Sequence, residues 1–154
     1  MKKLELLFIT VSIVGIIQSL LNFKDAWFFI APCLLLLGLL YNPLGFATLN
    51  DFDIPGIFKN ESYKNTPGPR LAGTFLAGIA LGQVPLALLF NLRNFPLGDT
   101  MAITGALSVT LVLIILIIKS IKKAERFYTQ NIIRFSIGLM IALILIFTDF
   151  SLQT

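Results

Sequence analysis

The chain has 154 residues, 56% of them hydrophobic and 13% charged, with a mean hydropathy of +0.88 and a formal net charge of +4. It has no histidine and a single cysteine, Cys33, which excludes the commonest metal ligand, the commonest general base, Ser-His-Asp and Cys-His nucleophiles, and an internal disulfide. A composition this apolar belongs in a bilayer, and five crossings in so short a chain leave no room for a folded soluble domain.

The pattern predicts an all-α integral membrane protein with spans at residues 4–23, 26–41, 71–92, 101–118 and 132–147, and a long loop at 42–70. A helix rises 1.5 Å per residue, so about 20 apolar residues cross a hydrocarbon core of ~30 Å. Lys2 and Lys3 precede the first span, which runs on without a small-residue cleavage pattern and so is expected to be retained rather than removed as a signal. Asp25 stands where a cap for the second span is needed, and Trp27 belongs at the headgroup level. Cys33, within that span, is expected to be an inert packing residue.

The 42–70 segment mixes turn residues (Asn42, Pro43, Gly45, Pro55, Gly56, Pro67) with Phe46, Phe52, Ile54, Phe58 and Tyr63. That mixture suits a segment lying on the membrane surface with its aromatic side down. Asp51, Asp53 and Glu61 are the one acid cluster, better explained as solvated charge than as a metal site.

The third span is rich in small residues: Gly73 and Ala77 are four apart, and Gly78 and Gly82 form a G-x-x-x-G match. Close backbone approach joins helices in lipid, so these positions, with Gly105 of the fourth span, predict packing within the chain or against a partner subunit. Pro85 is expected to bend the third span beside Gln83. Pro96 and Gly98 make the next turn, with Asp99 or Thr100 as a cap. Lys119–Arg126 reads as a basic helical extension resting on anionic lipid. Glu5, Asp25, Asp99, Arg134 and Asp149 all fall at span ends, so no ionisable group is expected inside the bundle.

Topology follows from the cations. Lys2, Lys3, Lys59, Lys64, Arg70, Lys119, Lys122, Lys123, Arg126 and Arg134 fall on one side of the five spans, and only Lys24 and Arg93 on the other. By the positive-inside rule the N-terminus is cytoplasmic and the C-terminus outside, in a bacterial plasma membrane. The positive charge then needs no nucleic-acid partner; its partner is the lipid bilayer.

The segments Leu20–Asp25 and Leu89–Asn94 match in character at all six positions, at an offset of 69 residues. Spans one–two and three–four therefore look like two copies of one hairpin, a parallel repeat. If a polar pathway exists between the copies, Gln18, Asn22, Gln83 and Asn91 would line it; the same amides would otherwise make interhelical hydrogen bonds. The stretch Leu89–Gly98 resembles a hairpin turn of the membrane subunit of the Bacteroidetes gliding-motility motor. There a Leu-Phe-Lys-type helix end is followed by a His-Trp-Pro-Gly turn. Asn94 and Phe95 stand in place of that histidine and tryptophan, and a residue is inserted before Gly98. The resemblance implies a shared hairpin and not a shared activity, because the motor's intrahelical carboxylate has no visible counterpart here.

These observations lead to a non-enzymatic protein without cofactors, a subunit or accessory component of a larger membrane assembly, with a protein partner or a second copy beside it. The alternative is a channel or carrier for a small neutral solute at the repeat interface. A lipid-modifying enzyme using Asp51, Asp53 and Glu61 ranks third.

Overall fold

A computed structural model describes residues 2–21, 24–64, 66–123 and 125–148. Among the described residues the chain is all helical: α1 (Lys2–Leu20), α2 (Trp27–Tyr41), α3 (Gly45–Leu49), α4 (Ile54–Ile57), α5 (Asn60–Tyr63), α6 (Gly68–Leu92), α7 (Gly98–Lys122) and α8 (Arg126–Phe147). The long helices α1, α2, α6, α7 and α8 alternate in direction.

Three of them, α6, α7 and α8, are long and apolar enough to cross a membrane, against the five spans expected. α2 has 15 residues and reaches only ~22 Å, because the chain breaks at Asn42-Pro43 and turns into α3. α1 has 19 residues and carries Lys2, Lys3 and Glu5 in its first turn. The later helices start or end beyond their expected limits: α6 begins at Gly68, α7 covers Gly98–Lys122, and α8 begins at Arg126 rather than at Ile132. Arg134 consequently lies in the third turn of a helix, not on its flank.

α6 is the central helix. Its most apolar stretch is 56% buried, twice the share of α7 or α8, and it packs against α2, α3, α7 and α8. Small side chains make this possible. The backbone of Gly78 rests on that of Gly45, beside the carbonyl of Tyr41, and Gly82 faces the Gly38 carbonyl. Gly105 of α7 closes on the Cβ of Gln83. Ala77 is buried, whereas a side chain at Gly73 would meet open space.

The 42–70 segment departs from the expected surface-lying strip in its first half. α3 is packed against α6 with Ala47, Thr48 and Leu49 buried. Its apolar residues find the groove beside Gly78 more favourable than an interface. Only α4 and α5 stay peripheral, with Phe58 86% exposed and Tyr63 edge-on to Phe52 at 5.3 Å between ring centroids.

Three helix ends use a non-glycine residue in the left-handed region: Asp51 after α3, Asn94 after α6 and Leu97 (φ 75°) just before α7. After α3, Asp51 has φ 59°, and the Asp51 and Phe52 amides donate back to Thr48 (3.3 Å) and Ala47 (2.8 Å) carbonyls. After α6, Asn94 has φ 51°, with the Asn94 and Phe95 amides donating to Asn91 (3.1 Å) and Phe90 (2.9 Å). Both are Schellman closures, and in the second Phe90 and Phe95 supply the apolar contact that accompanies the motif. The expected caps are not used. α2 starts after a short 3-10 turn that already takes up Asp25, and α7 starts at Gly98, so Asp99 lies inside its first turn. There its charge suits the helix dipole. At this end Arg93 stacks on Trp27 at 4.3 Å, joining the two hairpins.

Gly78→Leu is expected to lower stability by about 1–3 kcal/mol or more through overpacking against α3. Gly73→Ala should instead add about 0.5–1 kcal/mol through helix propensity. Denaturant midpoints in mixed micelles check both.

Candidate functional site

The side chain of Arg134 reaches across the end of the bundle where α1 and α8 begin and α2 ends. One terminal nitrogen donates to Glu5 Oε2 at 2.9 Å and to Asp51 Oδ1 at 3.4 Å; the other donates to Asn131 Oδ1 at 3.2 Å and the Thr48 carbonyl at 3.4 Å. The second carboxylate oxygen of Glu5 accepts from the Tyr41 hydroxyl. Asn131, 1% exposed, donates in turn to the Leu49 carbonyl at 3.2 Å. The Glu5 and Arg134 side chains are 7% and 15% exposed, so this ion pair is largely shielded from solvent. One cation therefore joins α1, α8 and the turn after α3, with α2 attached through Tyr41.

Each partner is positioned by local structure. The left-handed turn at Asp51 aims its carboxylate back toward α8. Asn131 and Arg134 are three apart and share a helix face, so the amide can both hold α3 and orient the guanidinium. A second polar network lies alongside. Arg70 Nε donates to Asn50 Oδ1 at 3.0 Å, Asn50 Nδ2 donates to Thr74 Oγ1 at 2.9 Å, and the Arg70 guanidinium stacks on Phe127 at 3.6 Å and pairs with Glu125 at 3.4 Å.

Beyond the Glu5–Arg134 pair, a cavity of 470 Å³ runs between α1, α2, α6 and α8. Its walls are aliphatic, including Ile9, Ile16, Leu37, Val84, Ile141 and Leu145. Glu5, Tyr41 and Arg134 mark one end. Ser12 lies in the wall, 4% exposed, with its hydroxyl unpartnered.

Three of the four amides expected to line a polar pathway fall among the described residues. Gln83 is turned into the α6–α7 seam against Gly105, its amide oxygen buried and unpartnered. Asn91 donates to the Ala87 carbonyl at 3.0 Å and packs on Gly98. Gln18 is half-buried on α1, and Asn22 lies outside the described residues. None of the three described amides lines the cavity. Asp51, Asp53 and Glu61 do not gather either; Asp51 pairs with Arg134, and no metal-capable group of three occurs among the described residues.

The sequence reading missed Glu5, Tyr41, Asn131 and Arg134 as a set. The signal was present in the i, i+3, i+7 face of Asn131, Arg134 and Gly138, hidden by starting the span at Ile132. Compared with known proteins, the chain matches no family model, no curated protein and no solved structure.

Removing one member of a buried pair strands the other. Arg134→Leu and Glu5→Leu are each expected to cost about 3–5 kcal/mol. The double variant should lose clearly less than the two together, because no buried charge remains. A double-mutant cycle on unfolding in micelles measures the coupling.

Proposed function

We propose that this chain is a non-enzymatic membrane protein that serves as an accessory subunit of a larger assembly in a bacterial plasma membrane. All five long helices cross, with the N-terminus cytoplasmic and the C-terminus outside. The observation that carries the role is where the ionisable side chains are spent. Glu5, Asp51, Arg134, Arg70 and Glu125 hold one another across the bundle. Much of the remaining outer surface is apolar helix, including Leu76, Leu107 and Met140, each more than 60% exposed.

The placement of the cations supports the orientation. Lys59, Lys64, Arg70, Lys119, Lys122, Lys123 and Arg126 flank the Glu5–Arg134 end, while Arg93 and Trp27 sit together at the other. The short α2 is accommodated by local thinning and by these interface residues. Of the small-residue positions, Gly78, Gly82 and Gly105 are used within the chain. Gly73 remains open beside Leu76 and is the first place for a partner helix to lie. A carrier for a neutral solute would need its amides on one open path, whereas Gln83 and Asn91 are packed against α7 and do not border the cavity.

Purification in mild detergent followed by mass spectrometry should recover a second protein or a second copy, lost with Gly73→Trp. A clean, stable monomer would overturn the proposal. Topology is checked in a Cys33→Ala background with Lys59→Cys or Thr100→Cys. An impermeant thiol reagent added to intact cells should label Thr100→Cys and leave Lys59→Cys unlabelled. Equal labelling of both would remove the five-crossing arrangement.

A further inference from the structure

We draw no further inference here: the strongest candidate, the aliphatic cavity between α1, α2, α6 and α8 beyond the Glu5–Arg134 pair, is an unpartnered apolar surface, and nothing in the structure shows what covers it.

Discussion

A guanidinium inside an apolar bundle has to be neutralised and hydrogen-bonded where it stands, and the arrangement around Arg134 follows from that requirement. Its planar fork presents donors in fixed directions, so the acceptors must come to it. They come from three separate parts of the chain: Glu5 of α1, Thr48 and Asp51 around the end of α3, and Asn131 one turn back on α8. In water such a pair would contribute little. Buried, it mainly penalises arrangements that leave either charge alone, so its effect is to select one register of α1 against α8.

The rest of the bundle is held differently. α6 has no comparable charge in its middle; it attracts neighbours by presenting almost no side chain. Glycine at 78 and 82 brings the α2–α3 corner to backbone contact, and glycine at 105 does the same for α7. Close contact of this kind collects dispersion energy along a whole face. α1 lacks it. It has α2 on one side and a single polar tie to α8 on the other, which leaves the space beyond that tie unfilled by side chains.

Helical class and the long apolar elements were legible because they rest on composition and on runs of ten or more residues. So was the role of small residues in α6, since Gly78 and Gly82 mark one face by spacing alone. Helix limits were less legible: α8 starts six residues before the apolar run, since Phe127, Tyr128 and Asn131 pack well enough to extend it. That shift is what concealed Arg134. The convergence of Glu5 and Arg134 was beyond reach for another reason. The two are 129 positions apart, and pairing across such a distance depends on how α1 docks, which no local pattern encodes. The repeat suggested that amides near the interface of its two copies would line one path, but Gln83 lies against α7, where Gly105 leaves room for it.

The depth of Arg134 also accounts for α3. The residue lies eight positions into α8, ~12 Å along the helix from Arg126. A loop remaining at the helix ends could not deliver a carbonyl and a carboxylate to that level. α3 brings the chain down beside α6, where the glycines make room, and its Schellman turn exposes the Thr48 carbonyl and the Asp51 carboxylate at the required place. Non-helical backbone at such a depth is tolerated when it is buried in protein and its polar groups are satisfied. Asn131, Asn50 and the turn's own amides satisfy those groups here. The small-residue face of α6 and the buried cation of α8 are thus two parts of one solution: the first opens the space into which α3 folds, and the second fixes what α3 must carry.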